Sequence, residues 1–129
     1  MFSIDKYSRE PIYEQIIAQF EMHIALGDLA PEQLLPSVRS LSVELSVNPN
    51  TLQKAYVELE RRGLCYTVPG NGRFIAPDAP ERLRASRQAL LEDIAQTATK
   101  LAQAGIPLGD VLTTVRSAYE NAMSGGGKA

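Results

Sequence analysis

The chain has 129 residues, of which 44% are hydrophobic and 22% charged, and its formal net charge is −2. This length allows one domain with an appendage, and the composition is typical of a globular protein. The single cysteine excludes an internal disulfide, no apolar run approaches the roughly 20 residues of a membrane span, and the N-terminus lacks a basic signal-peptide start. We therefore expect a soluble, cytoplasmic protein without membrane association.

The beginning of the chain predicts a short strand and then a long helix. The residues from Phe2 to Ile4 are the candidate strand. Pro11 suits the first position of the helix and Gly27 suits its end. Between them apolar side chains recur every four residues, at Ile12, Ile16, Phe20 and Ile24. We expect this helix to supply core beneath the helices that follow.

Two short helices joined by a tight turn come next. Ser37 stands at an N-cap position, ahead of an apolar stripe formed by Val38, Leu41 and Leu45. Asn48 and Pro49 suit the cap and first position of the second helix, which Gly63 ends. The exposed start of this second helix carries Asn50, Thr51, Gln53 and Lys54. The pair predicts a helix-turn-helix whose second member is a recognition helix.

A β-hairpin is predicted directly after the recognition helix. Leu64–Val68 alternates apolar and polar side chains, Pro69–Gly72 supplies turn residues, and Arg73–Ile75 returns the chain. A hairpin in this position is a wing. The predicted fold is therefore mostly α with a small β-wing, and its N-terminal part is a winged helix-turn-helix.

These motifs resemble the GntR family of bacterial transcription regulators, and within it the YtrA-like branch with a very short C-terminal region. The resemblance covers roughly the first three-fifths of the chain, where many spacings agree at once. The matching segments are Gly27–Pro31, Leu35–Leu41, Asn48–Tyr56, Leu59–Glu60, Gly63–Leu64 and Gly70–Phe74. Two residues depart from the family pattern: Glu32 stands where glycine is usual, and Arg73 where threonine is common in the wing.

The resemblance implies a sequence-specific DNA-binding regulator, which we expect to be a repressor. Similar proteins act as homodimers on inverted repeats in promoters, often those of ABC-transporter operons. In the family the arginine at the position of Arg39 reaches DNA. The residues expected to contact double-stranded DNA are Ser37, Arg39, Asn48, Asn50, Thr51, Gln53, Lys54, Gly70, Asn71, Gly72 and Arg73.

The chemistry of these residue types fits that expectation, although each has a structural alternative. Asparagine and glutamine bond adenine in two places, and lysine serves guanine or phosphate. Glycines let a wing backbone approach DNA closely, and arginine enters the minor groove. The alternatives are an ordinary solvated helix face, a turn that simply needs glycine, and an Arg39 that pairs with Glu44 instead of phosphate.

The negative net charge does not exclude DNA binding, because the distribution of charge matters more than the total. From Ser37 to Ile75 the sequence has five basic and three acidic residues. Arg61 and Arg62 are expected to complement the C-terminal end of their helix rather than touch DNA. We therefore expect modest non-specific affinity, which a second copy of the chain would reinforce.

The C-terminal part is predicted to be a two-helix tail. Ala76–Pro80 is a proline-rich hinge, so the expected domains are residues 1–78 for DNA binding and 79–129 for dimerisation or effector binding. One helix from Leu83 to Leu101 and another after Gly105–Pro107 are expected, then a flexible end at Ser124–Ala129. Two such helices cannot close a core alone. The predicted dimer interface is Leu90, Leu91, Ile94, Ala98, Leu101, Val111, Leu112, Val115 and Tyr119.

Other kinds of function find less support in the sequence. His23 has no nearby cysteine or second histidine, so no metal site and no cofactor are expected. Without a catalytic constellation we expect no enzyme activity. A small-molecule effector between the tail helices is left open. The alternative function is a winged-helix protein-interaction module that does not read DNA.

Overall fold

Three helices form the framework of the N-terminal part of the chain. The computed structural model describes residues 2–124, and in it α1 spans Ile12–Leu26, α2 spans Val38–Leu45 and α3 spans Pro49–Arg61. These bounds confirm the long first helix and the pair of short helices that the sequence predicts. Residues 125–129, which include most of the end predicted to be flexible, lie outside the described residues.

Local capping sets the ends of these helices. The Ser37 hydroxyl accepts a hydrogen bond from the Ser40 amide at 3.0 Å, and the Asn48 side chain accepts one from the Asn50 amide at 2.7 Å. Ser46 ends α2 in the left-handed conformation, with a φ of 56°. That conformation turns the chain sharply between α2 and α3, so that Asn48 follows at once as the next cap.

The predicted hairpin is present and pairs in one register. Strand β1 spans Cys65–Val68 and β2 spans Gly72–Ile75, with Cys65 opposite Ile75 in antiparallel pairing. This arrangement, together with the three helices, confirms the fold class of a mostly helical protein with a two-stranded wing.

Residues 32–35 lie along the free edge of β2. The Leu35 amide donates to the Arg73 carbonyl at 2.8 Å, and the Glu32 amide donates to the Ile75 carbonyl at 2.8 Å. Glu32 adopts a φ of 70°, in the left-handed region that glycine occupies without strain. This backbone geometry is a physical reason for the glycine that the family usually has there. The segment ties the wing to the start of α2.

The expected strand at Phe2–Ile4 is wrong. Its backbone forms no ladder with another strand, because side chains of α1 take up the hydrogen bonds instead. The Ser3 amide donates to Gln19 Oε1 at 2.8 Å, and the Asp5 amide donates to Gln15 Oε1 at 2.9 Å. The segment therefore runs as an arm along α1.

The core of the N-terminal part lies among α1, α2, α3 and the hairpin. Its largest fully buried side chains are Ile16, Phe20, Ile24, Leu41, Leu52, Tyr56, Leu59 and Ile75. Ala79 and Leu83 of the next helix, α4 (Ala79–Arg87), are also buried in this core. The chain divides into two compact units between Ser86 and Arg87, so that nearly all of α4 belongs to the first.

The second unit contains α5, which spans Ala89–Gln103, and α6, which spans Leu108–Met123. The sequence predicted one continuous helix from Leu83 to Leu101, and this is wrong because the helix is interrupted at Gln88. The apolar pattern spans two helices that serve different purposes. Leu83 packs into the core of the first unit, whereas no described residue of α5 or α6 is buried.

A candidate nucleic-acid interface

Two helix starts present polar groups on the surface of the first unit. Arg39 lies in the first turn of α2, two residues after the cap Ser37. It is exposed and forms no ion pair within the described residues, so the expected alternative of pairing with Glu44 is not realised. A free guanidinium near a helix N-terminus is suited to phosphate, since the fork of donors matches the oxygens of that anion.

The start of α3 is polar on the side that does not enter the core. Leu52, Ala55, Tyr56 and Leu59 form the buried face of the helix. Asn48, Asn50, Gln53 and Lys54 are exposed, and Thr51 is half-buried. The amide side chains of Asn50 and Gln53 make no hydrogen bond within residues 2–124, so both retain the donors and acceptors that pair with base edges.

Lys54 differs from its neighbours because its position is constrained. Its ammonium lies 3.8 Å from the centre of the Tyr13 ring, at the start of α1. A cation over an aromatic face at this distance is attracted by the ring quadrupole. Lys54 therefore lies towards α1, at one side of the polar surface formed by Asn50 and Gln53.

The turn of the hairpin is built on two glycines with positive φ. Gly70 has a φ of 82° and Gly72 a φ of 116°, and the Asn71 amide donates to the Val68 carbonyl at 2.9 Å. A Cβ on Gly72 would lie 3.0 Å from Leu34 Cδ1. Gly72 is therefore required by the fold, and Gly70 and Asn71 remain exposed at the tip.

Arg73 does not extend freely from the wing. Its side chain is only 20% exposed and lies against α3, with Nε 3.6 Å from Glu60 Oε1 and the guanidinium 5.3 Å from the Tyr56 ring. The Arg73 Nε atom itself is buried without a hydrogen-bond partner. In this structure the residue joins the wing to the recognition helix, a contact that sequence reasoning did not predict because both partners lie far from it in the chain.

Tyr56 is a second residue whose contacts sequence reasoning did not predict. Its ring lies under the Arg73 guanidinium, and its hydroxyl donates to the Pro36 carbonyl at 2.8 Å. Burial raises the pKa of Tyr56 well above its ordinary value, although the positive charge of Arg73 opposes the shift. This hydrogen bond ties α3 to the segment that leads into Ser37 and Arg39.

The basic residues at the end of α3 are already neutralised. Glu58 accepts from Arg61 at 2.6 Å and from Arg62 at 2.8 Å, and Arg62 also contacts Glu21 at 2.7 Å. Hydrogen bonds from Arg61 and Arg62 hold the pKa of Glu58 at about 2. Arg73 lies beside Glu60, so Arg39 and Lys54 are the two cations at the starts of α2 and α3 that no carboxylate neutralises within the described residues.

The second unit contains a large apolar groove between α5 and α6. It has a volume of about 690 Å³, and six of the nine residues predicted for the dimer interface line it: Leu90, Ile94, Ala98, Leu101, Val111 and Val115. Leu91, Leu112 and Tyr119 are exposed but do not line it. The groove also has two carboxylates, Asp93 and Asp110.

The described residues contain no further chemistry that would suggest another kind of site. No cluster of three or more histidine, cysteine or acidic side chains that could hold a metal occurs in residues 2–124. His23 is buried and its Nδ1 lies 2.9 Å from Asp28 Oδ2. None of the helices in the same part of the chain has the length and apolarity needed to cross a membrane.

Three helices, an exposed polar start on the third and a hairpin directly after it define a winged helix-turn-helix, a class of DNA-binding domain. Comparison with known proteins makes this assignment more specific. Residues 12–75 match the family described as bacterial regulatory proteins, gntR family. The chain belongs to the GntR family of bacterial transcription regulators.

Individual relatives and solved structures agree. The HTH-type transcriptional repressor YtrA of Bacillus subtilis (strain 168) is 41% identical over 93 residues, which cover 72% of this chain and 72% of YtrA. A GntR family transcriptional regulator from Listeria monocytogenes has a TM-score of 0.69 at 31% identity. The match covers 88% of this chain and 98% of the Listeria protein. The AraR DNA-binding domain solved with operator ORX1 has a TM-score of 0.53 at 28% identity. The match covers 58% of this chain and 96% of the AraR domain.

Proposed function

We propose that this regulator represses transcription by binding an inverted-repeat operator as a homodimer. The observation that carries the proposal is the exposed polar start of α3 beside the unpaired Arg39 of α2. A winged-helix module that only bound another protein would need neither a free guanidinium nor unbonded amide side chains at the start of its recognition helix. The similarity to a repressor and to an operator-bound domain supports the same function.

The residues of the polar surface divide into two roles. Arg39 contacts phosphate and so positions the domain on the duplex, whereas Asn50 and Gln53 read base edges in the major groove. Gly70 and Asn71 at the wing tip let the backbone approach the neighbouring groove. Ser37 and Asn48 act first as helix caps, with exposed positions from which they can also reach phosphate.

The small number of free cations favours DNA binding by two copies of the domain rather than by one. Ion pairs within the domain leave few free cations at the starts of α2 and α3. Each phosphate contact contributes to the salt-dependent part of the affinity. A single domain should therefore bind weakly. Joining two domains makes the second half-site contact intramolecular, which can raise affinity by about 10²–10⁴.

The second unit supplies the surface for this pairing. The side chains of Leu90 and Ile94 in the groove are each 52% exposed, and Val115 is 38% exposed. Exposed apolar side chains gathered in one groove are unfavourable in water. A second copy of the same groove is our proposed cover, and an effector that alters the dimer would act by changing the separation of the two winged helices. We further propose that the operator belongs to an ABC-transporter operon.

The proposed DNA contacts are tested with a duplex that the protein selects from random sequence. Arg39→Ala should weaken binding to the selected and to random duplexes alike and flatten the log–log salt slope by about 0.9 for each bound copy. Gln53→Ala should relax preference at one base-pair position, at a cost of roughly 1–3 kcal/mol. Arg84→Ala removes another exposed charge, from α4, and should change neither quantity. Unchanged binding in Arg39→Ala would overturn the phosphate role.

The dimer is tested by analytical ultracentrifugation of the full chain. Ile94→Glu and Val115→Glu place charges in the groove and should give a monomer that keeps half-site binding but loses tight binding to the full operator. The matched control is Leu108→Glu, because Leu108 is 70% exposed and does not line the groove. A monomeric unmodified chain, or a dimer that survives both groove substitutions, would contradict the proposed interface.

A further inference from the structure

The arm that precedes α1 is held in place by glutamine side chains. Gln15 is buried, and its Nε2 donates to the carbonyls of Asp5 and Glu10 at 2.9 Å each. Gln19 bonds both the amide and the carbonyl of Ser3 in the same manner. Phe2 packs on Phe20 with ring centroids 4.6 Å apart. The loop from Lys6 to Glu10 therefore has one defined location at the start of α1.

That location is beside the recognition helix. Lys6 Nζ donates to the Ser46 carbonyl at 2.8 Å, and Ser46 is the turn residue between α2 and α3. Asn48, the cap of α3, follows two residues later. On the same side of the domain, Tyr13 near the start of α1 contacts Lys54 of α3. The contact from Lys6, and the contact of Tyr13 in the helix that follows the loop, thus place the loop at the edge of the polar surface that Asn50 and Gln53 form.

The loop presents free donors at this edge. The Tyr7 side chain is 99% exposed, and Arg9 is exposed with no ion-pair partner among the described residues. The loop is also internally braced, since Asp5 Oδ1 accepts the Tyr7 amide and Ser8 Oγ accepts the Glu10 amide, both at 3.0 Å. A braced loop loses less conformational entropy when its side chains bind.

We propose that the loop Lys6–Glu10 is an additional contact to the DNA backbone, in which Arg9 and the Tyr7 hydroxyl donate to phosphates flanking the major groove that α3 enters. The inference rests on the proposed function and adds an element to it. Phosphate is the ligand because the free groups are an arginine fork and a phenol donor, both common partners of backbone oxygens. The acids Asp5 and Glu10 offset the local positive charge, so the loop contributes a positioned contact rather than long-range attraction.

A contact of this kind has a defined consequence for recognition. Phosphate contacts set the register of a protein on the duplex and carry no direct base information. Losing the loop contact should therefore lower the affinity for selected and random duplexes by the same factor. It should also remove protection of the backbone that flanks the major groove entered by α3.

The affinity test uses the full chain and a duplex that it selects from random sequence. Arg9→Ala should flatten the log–log salt slope by about 0.9 for each bound copy, and Tyr7→Phe should weaken binding without changing the slope. Arg84→Ala is the charge-matched control, with no expected change. Urea unfolding of every variant should match the unmodified chain, because neither side chain packs in the core. An unchanged slope and affinity in Arg9→Ala overturns the inference.

Hydroxyl-radical footprinting gives an independent readout. The double variant Tyr7→Ala with Arg9→Ala should lose protection of one or two sugars flanking the major groove in each half-site and keep protection opposite α3. Loss of protection opposite α3 instead, or an unchanged footprint, overturns the loop contact. If the unmodified chain selects no sequence at all, the proposed function fails; if it selects one and the variants behave like it, the loop contact alone fails.

Discussion

The hydrogen bond from Tyr56 to Pro36 gives the most direct test of how α3 is held against α2. In Tyr56→Phe the ring keeps its edge contact with Phe20, whose centroid is 5.5 Å away, and only the hydroxyl is lost. The ring of Tyr56 is 1% exposed, so the Pro36 carbonyl loses a partner on the buried side. Removing one member of such a pair costs about 1–2 kcal/mol, between the net value of a hydrogen bond and the full desolvation of its acceptor.

For a unit of this size each kcal/mol lowers the melting temperature by roughly 4–8 °C. Thermal unfolding followed by circular dichroism, at one fixed protein concentration, should therefore show a drop of roughly 4–16 °C for Tyr56→Phe. The matched control is Tyr7→Phe, whose hydroxyl is exposed and which should shift stability by less than about 0.5 kcal/mol. Equal melting temperatures for Tyr56→Phe and the control would refute the reasoning.

The same residue predicts a pH dependence. Burial raises the pKa of Tyr56 above its ordinary value of 10.0, so the phenol stays neutral in the folded chain after it would ionise in the unfolded one. The stability that follows from this difference is present below pH 10 and is lost as the pH rises further. Tyr56→Phe should lose less stability than the unmodified chain over that alkaline range, and an identical loss in both would contradict the burial effect.

Three further predictions concern single residues. Glu58, with its pKa lowered from 4.5 to about 2 by Arg61 and Arg62, should contribute stability above pH 4.5 that is lost as the pH falls towards 2; urea midpoints of Glu58→Gln should then vary less with pH, and equal variation would count against the ion pairs. Burial raises the pKa of Cys65 to about 11, so iodoacetamide at pH 8 should modify it only after unfolding in urea, and rapid modification of the folded chain would show that the thiol is accessible. Ser46→Gly relieves a positive φ and should raise the free energy of unfolding by up to about 1 kcal/mol, measured as a higher urea midpoint; a lower midpoint would mean that the serine side chain has a stabilising contact.

Much of the first unit could be predicted because its signals are local. Ser37 and Asn48 with Pro49 mark helix starts within a few residues of the groups they cap, and Gly63, with a φ of 78°, marks a helix end by its own backbone. The helix-turn-helix and hairpin follow from such signals and from the apolar period between them. The exposed polar start of α3 was predicted in the same way, from the polar residues that follow the cap at Asn48 and Pro49.

The features that were missed depend on partners distant in the chain. The pairing of residues 32–35 with β2 and the contact of Arg73 with Tyr56 join segments about 15 or more residues apart, and no local pattern encodes them. The arm was predicted as a strand because its apolar residues were visible and the glutamines that bond it were not recognised. The break at Gln88 was missed because one apolar stripe continues from Leu83 into α5, although the two halves serve different units.

Sequencing the DNA fragments that this chain selects from its own genome tests the claim that it reads a specific DNA sequence. We predict a small set of fragments that share an inverted repeat lying in promoters, with half-sites one helical turn or a multiple of it apart. The same selection with Arg39→Ala should recover fewer fragments of the same kind. Recovery of fragments without a common sequence, at the level found for a protein-free control, would contradict the claim.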